Sequence, residues 1–432
     1  MKLSAKKGGA TLVVGTTPDY IEWIRNIAPG RCLFLTDSLL RQRAKEPRPG
    51  GKEEILCDLA DYPRASARLA EHLERLGLAL DGVACFDCES MELTAVLAER
   101  YPLPYPSRAS IYLCRNKYLS KLKWREKGLR CPRAGMVRSA GEAERFRAEL
   151  DGPAVLKPLT GSGSEHVCLC RSAAECRTRY ESILSELHDK RSHRLYRPSV
   201  SGAPADGLIV AEEYIDGEEY SCDFMIDGDH LELIRLTKKI PAQNRPFGTI
   251  HGYLLCDALP GGVSREAFRE TIRKSAASIQ IDRAICMLDF IVRNGEMVLL
   301  ELAPRPGGDC LPHLLLKAQG LDILKLSLDF AGRRQTGPLV PLSDFAPGFM
   351  GIRIIAREGG ILRKINIDAL KNDPRVLEIG LSKEPGHEIT LPPEDYDSWI
   401  LGHVITRVAP GRNPVDTLIE LDGKIHILMD KS

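Results

Sequence analysis

Two carboxylates and an arginine in the stretch MLDFIVRNGEMVLLELAPRPGGD, from Met287 to Asp309, are the residues best placed to do chemistry. Two apolar runs, Met287–Val292 and Met297–Leu302, flank Asn294-Gly295. That dipeptide favours a type I′ turn because both residues tolerate positive φ, so the stretch reads as a β-hairpin. Asp289 sits in the first run and Glu301 in the second, and closure at Asn294-Gly295 sets them opposite each other. Facing carboxylates repel, and a buried unpaired charge is costly, so something positive is expected between them. Spacing alone leaves open that both point to solvent on a wet sheet face. Glu301 runs on into Ala303-Pro304-Arg305-Pro306-Gly307-Gly308-Asp309. Two prolines restrict the backbone around Arg305, and Gly307-Gly308 lets backbone approach a ligand closely. Two acids suited to Mg²⁺, then a fixed guanidinium, form a grip for a phosphoryl group in transfer, with metal on bridging oxygens and arginine on developing charge.

Other stretches carry phosphate chemistry. Ala154–Pro158 reads as a strand ending in Lys157, followed by a turn with Ser162, Gly163 and Ser164 and a second strand at Val167–Leu169. Backbone N–H groups of such a turn can cover phosphates, although the loop lacks the Walker A pattern and a Gly/Ser turn alone is usually only a hairpin. The strand Leu208–Ala211 leads into Glu212-Glu213-Tyr214-Ile215-Asp216-Gly217-Glu218-Glu219, an acidic turn between strands. Arg115-Asn116-Lys117 opens a basic helix with Lys121, Lys123, Arg125 and Lys127, most of which read as a solvated face. Lys238 and His251 are plausible neighbours of a substrate or phosphate, His251 reading more simply as a polar loop residue. The polar stretch His188–Gly207 reads as a mobile loop, and its Arg191, Arg194 and Arg197 read more simply as solvated than as reaching a phosphate or a substrate carboxylate.

Taken in order, these motifs resemble those of the ATP-grasp ligases. Met287–Asp309 looks like the family's metal-binding strand pair, Glu-h-Asn-x-Arg-x-Gly-Gly with h apolar, except that Ala303 stands where the family usually has Asn. The Ala followed by Arg-Pro-Gly-Gly looks most like the branch that joins amino acids, the L-amino-acid and dipeptide ligases. The resemblance implies ATP and Mg²⁺ (or Mn²⁺), the metal held by Asp289 and Glu301, with one or two ions left open by Ala303. It implies that Lys117 and Lys157 hold phosphates and that Ser162, Gly163 and Ser164 form the small lid. It further implies that backbone groups of Glu212, Glu213, Tyr214 and Ile215 pair with adenine, and that Glu219 accepts from the ribose hydroxyls. Arg305, with Lys157, would stabilise charge during transfer. The implied reaction activates a carboxylate as an acyl phosphate, which an amine attacks to give an amide, ADP and phosphate. Two rivals remain: a carboxylase or carbamoyl-phosphate-like enzyme using bicarbonate, and a nucleotide-binding protein that no longer catalyses.

The elements that must position these residues follow from length and pattern. A chain of 432 residues suggests about three domains. Residues 1–110 alternate strands (Thr11–Val14, Cys32–Thr36, Glu54–Leu56, Gly82–Cys85) with helices (Tyr20–Ile27, Ala65–Leu76, Ser90–Arg100), which argues for a doubly wound parallel sheet. The Gly15 loop is not GxGxxG, but it can line a pocket at the carboxyl ends of these strands. Residues 111–335 read as the ATP-grasp domain, with the lid at about 151–215, and include helices at Ser264–Ile279 and from His313 to Ala331. Residues 336–432 read as an α+β, mostly β domain with strands at Phe349–Ala356, Ile361–Asn366, Val376–Leu381, Trp399–Arg407 and Thr417–Leu421. The fold class is α/β and α+β, multidomain.

A net charge of +1 argues against nucleic-acid partners and anionic membranes. No apolar run is long enough to span a bilayer. The opening MKLSAKKGGATLVVG has only a short apolar run that reads as a strand, so no signal peptide is expected. Thirteen scattered cysteines read as reduced core residues of a cytoplasmic protein, and the lone Cys85-Phe86-Asp87-Cys88 supports a metal or redox role only weakly. Partners are expected to be a small-molecule carboxylate and amine, with a homodimer as an open expectation.

Overall fold

The computed structural model describes residues 9–190, 193–196 and 209–430. Arg191, Arg197 and Leu208 lie outside the described residues. The first apolar runs form Ala10–Val14, Cys32–Asp37, Glu54–Cys57 and Leu80–Cys85, all paired in parallel, with the first strand between the second and the fourth. Alternate residues serve opposite faces. Leu12, Val14, Leu33 and Leu35 pack on Leu69, Leu73 and Leu97. Val13, Phe34 and Ala84 pack on Ile21, Ile24, Leu324 and Leu328. At the carboxyl edge Gly15 has φ +75°, and a Cβ there would lie 2.0 Å from Ser90 Oγ, so the turn needs glycine to bring these two loops together. The Thr16 amide donates to Asp87 Oδ2 at 2.7 Å across the same gap.

A second, antiparallel sheet holds Ala134–Val137, Ile209–Glu213, Ala154–Pro158 and Cys168–Cys170 in that spatial order. Its buried Val137, Leu156, Cys170 and Ile209 share a core with Tyr180 and Ile183 of the helix Ala173–Asp189.

The third sheet organises the molecule. Eight strands run in the order Glu296–Ala303, Arg283–Arg293, Glu218–Asp227, His230–Pro241, Ile250–Leu255, Phe349–Ile355, Ile400–Arg407, Val376–Leu381. The last three come from beyond residue 336 and continue the sheet that carries the hairpin. On one face Tyr220, Cys222, Phe224, Leu236, Leu288, Phe290 and Leu302 pack on Phe268, Ile272 and Trp124. The period-two alternation therefore turns Glu219, Ser221, Asp223, Arg235, Thr237, Lys239, Asp289 and Glu301 to the other face. This polar strip is where chemistry can occur. A small sheet of Glu388–Ile389, Gly360–Asn366 and His426–Asp430 completes the described fold. Among the described residues no helix is long and apolar enough to cross a membrane.

Two expectations about elements change. Thr417–Leu421 is not a strand but lies within the helix Pro414–Asp422. Asn413 caps that helix by accepting from the Val415 amide at 2.9 Å, Pro414 suits its first turn, and Leu418 and Leu421 are buried on one side. The expected helix from His313 to Ala331 is two helices, Leu311–Gln319 and Ile323–Ala331, broken where Gly320 takes φ +67°.

Candidate functional site

The hairpin closes through Asn294 and Gly295, with φ values of 51° and 76°, and its ladder pairs Asp289 with Glu301. The register shifts immediately afterwards, leaving Leu300 as a bulge residue. The bulged carbonyl accepts from Lys121 Nζ at 2.9 Å. The positive charges expected beside the acids are lysines. Lys239 Nζ lies 2.7 Å from Asp289 Oδ2 and 2.7 Å from Glu219 Oε1. Lys117 Nζ lies 3.7 Å from Glu301 Oε1. Burial acts to lower the Lys239 pKa, but Asp289 and Glu219 outweigh it and hold the ammonium charged far above its usual range. Lys238, the lysine singled out from sequence, faces the opposite way and pairs with Glu218, because adjacent strand residues point to opposite faces.

Asp289 Oδ1 is buried without a hydrogen-bond partner. Leaving such an atom unsatisfied costs about 1–3 kcal/mol, which a bound cation removes. With half-buried Glu301 opposite it, the donor set is all oxygen and anionic, and it fits a hard divalent ion such as Mg²⁺.

Of the two lysines expected to hold phosphates, Lys157 shares the carboxylate of Glu212 with Lys121, whereas Lys117 lies beside Gly161 and Glu301. Asn116 caps the helix Lys117–Glu126, so Lys117 and Lys121 lie on its buried side while Arg125 and Lys127 remain exposed. Lys117 Nζ donates to Gly161 O at 2.9 Å. Lys121 Nζ and Lys157 Nζ lie 2.8 and 2.7 Å from the two oxygens of Glu212. Burial would push the Glu212 pKa up, but Lys121 and Lys157 outweigh it and hold it below the usual carboxylate range. Its stabilising contribution is therefore complete above the ordinary carboxylate pKa and is lost as pH falls through the lower folded value. Glu212→Gln is expected to destabilise the protein at pH 7, with the gap to the parent shrinking as urea unfolding is repeated from pH 5 downwards. A gap that does not change with pH would remove Glu212 as the charge that holds the lysines.

The hinge expected to meet adenine, which joins the strands Ile209–Glu213 and Glu218–Asp227, has its amides partly committed. The Glu213 amide donates to Arg133 O at 2.8 Å and the Tyr214 amide to Pro153 O at 3.0 Å. Ser162, Gly163 and Ser164 form the turn between the strands Ala154–Pro158 and Cys168–Cys170, with Gly163 and Ser164 at φ +67° and +62°. The turn lies against the loop that joins the strands His230–Pro241 and Ile250–Leu255: a Cβ on Gly248 would be 3.2 Å from Ser164 Cβ.

The Arg305 loop rests on a buried ion pair that sequence reading missed. Arg235 Nε and Nη2 donate to the two oxygens of Asp223, each at 2.9 Å, and both side chains are fully buried. Asp223 Oδ1 also accepts from the Gly307 amide at 3.0 Å. A Cβ at residue 307 would lie 2.8 Å from Arg235 Nη2, so only glycine allows this approach. The available signal was alternation: Arg235, Thr237 and Lys239 recur every second residue, interleaved with Leu236 and flanked by Leu233, Ile234 and Ile240. Arg305 itself donates from Nε and Nη2 to Cys88 Sγ at 3.2 and 3.1 Å. Burial raises the Cys88 pKa, with Arg305 pulling the other way. Burial likewise raises the pKa of neighbouring Glu89. The Cys85–Cys88 loop thus holds the Arg305 side chain through Cys88. Arg194 is not wholly solvated: it donates to Ser90 Oγ at 3.0 Å.

Residues 150–313 match the family profile described as an ATP-grasp domain. A solved L-amino acid ligase from Bacillus licheniformis superposes with a TM-score of 0.76 at 18% identity, covering 99% of this chain and 100% of that one. The chain carries an ATP-grasp fold. The biotin carboxylase domain of Hydrogenobacter thermophilus 2-oxoglutarate carboxylase shares the ATP-grasp fold, with a TM-score of 0.66 at 16% identity over 98% of this chain and 91% of that one. In sequence, the uncharacterized protein y4rH of Sinorhizobium fredii is 26% identical, covering 93% of this chain and 78% of its own length. Human carnosine synthase 1 is 25% identical over 66% of this chain, but the match spans only 35% of that relative's length.

Proposed function

We propose that this protein is an ATP-dependent carboxylate–amine ligase that forms an amide through an acyl phosphate, with an amino acid as at least one substrate. The observation that carries this reading is Asp289 facing Glu301 with Asp289 Oδ1 buried and unpartnered, on the polar strip that ends at Arg305. A Mg²⁺ ion held there would screen repulsion between a triphosphate and the incoming carboxylate. Lys117 and Lys157 hold phosphate oxygens, taking them in exchange for Gly161 O and Glu212. With the Glu213 and Tyr214 amides committed, the Ile215 amide and the hinge carbonyls read the adenine edge. Glu219 accepts from the ribose hydroxyls. Arg305, held by Cys88, meets the negative charge that develops on the transferring group. The Ser162–Ser164 turn, seated against Gly248, keeps water from the activated carboxylate. The amino-acid ligase among the structural matches supports the substrate class.

The test is ADP release with Mg²⁺-ATP and a panel of single amino acids and pairs, with bicarbonate in a separate well. ADP formed only with a particular pair, together with a product of the combined mass less one water, is the expected result. Release driven by bicarbonate would replace this reading with a carboxylase. Nucleotide binding with silence in every well would favour the non-catalytic reading.

A further inference from the structure

We infer that His313, Glu378 and His403 form a binding site for a borderline divalent cation of the zinc class, separate from the acidic hairpin. Among the described residues they are the one group of three His, Cys, Asp or Glu side chains whose ligand atoms all lie within 4.8 Å of one another. His313 comes from the helix Leu311–Gln319, Glu378 from the strand Val376–Leu381 and His403 from the strand Ile400–Arg407. His313 Nδ1 is 2.6 Å and His403 Nε2 3.3 Å from the same oxygen, Glu378 Oε1. Ligand atoms about 2.0–2.1 Å from a tetrahedral Zn²⁺ stand about 3.3 Å apart. The His403–Glu378 pair already has that spacing, and the His313–Glu378 pair must open slightly. The two imidazoles, whose ligand atoms lie within 4.8 Å of each other, need only rotate to share the ion. Two imidazoles and a carboxylate suit zinc-class ions, whereas the all-oxygen hairpin suits Mg²⁺.

The surroundings hold the three side chains in place. Lys317 Nζ sits 3.1 Å from Glu378 Oε2, which fixes the second oxygen and leaves Oε1 toward the imidazoles. The His313 ring lies between Trp23, with centroids 4.7 Å apart, and His403, 4.3 Å apart. A Cβ at Gly380 would fall 2.4 Å from His403 Cε1, so glycine makes the room this imidazole occupies. The three side chains keep 15–26% of their surface exposed, enough for an ion to enter and for water to complete its coordination. An ion there joins the helix that follows the Arg305 loop to the far edge of the central sheet. It is a clip for the site rather than part of its chemistry.

The test uses the chelator-treated full chain titrated with Co²⁺ in excess Mg²⁺, read by visible d–d absorption, and with Zn²⁺, read by calorimetry. One equivalent is expected to bind. Zn²⁺ binding should weaken by at least about 100-fold in His313→Ala and His403→Ala, and stay at the parent value in the Asp289→Asn/Glu301→Gln double variant. Glu378→Gln keeps the shape of the cluster and should lose the Zn²⁺-induced rise in Tm that the parent shows. No Co²⁺ absorption in the parent, unchanged binding in Glu378→Gln, or loss of binding in the hairpin double variant would each overturn the site.

Discussion

Glu301→Ala is expected to lower ADP release by at least about 10²–10³-fold while the protein remains folded. Glu301 is half-buried, and its nearest ionic neighbour, Lys117, lies 3.7 Å away and keeps its hydrogen bond to Gly161 O. Removing the carboxylate leaves buried Lys117 its hydrogen bond to Gly161 O, so the loss should fall mainly on turnover, with a smaller cost in stability. Steady-state ADP formation with the best substrates from the panel, beside a thermal melt, separates the two. Parent-like turnover in this variant would remove the acidic hairpin from the chemistry. Asp289→Asn is the less clean change, because it also takes a charge from buried Lys239.

The largest effect on stability is expected at Arg235. Arg235→Met should cost about 3–5 kcal/mol in urea unfolding, because it leaves Asp223 charged, buried and without its bidentate partner. The double variant Arg235→Met/Asp223→Leu removes both charges and should recover most of that loss. Turnover should stay low in the double variant. The Gly307 amide no longer has Asp223 to donate to, and the loop that sets Arg305 loses its anchor. A single-variant cost under about 1 kcal/mol would place this pair with ordinary surface ion pairs and withdraw its role in holding the loop.

What the sequence determined by itself was the local part. Asn294-Gly295 carries its own turn preference, so the hairpin and the facing of Asp289 and Glu301 were legible. The alternation of apolar runs and helices showed the parallel N-terminal sheet. Short apolar runs were ambiguous. Thr417–Leu421 reads as a strand by composition, and the Asn413-Pro414 cap decides otherwise. Basic runs hid their meaning as well: Lys121 looks like its solvated neighbours until packing of the helix buries one side.

Only the tertiary structure decided which charges meet. Cys88 and Arg305 are 217 residues apart, and Lys239 and Asp289 are 50 apart. Likewise, His313, Glu378 and His403 come from one helix and two strands. A side chain's residue type and spacing record the face it takes within its own element. Its partner is set by sheet order and packing, which depend on the whole apolar core at once. The choice of Lys239 over Lys238 shows the difference: strand alternation puts them on opposite faces, but only the order of the strands brings one of those faces to Asp289.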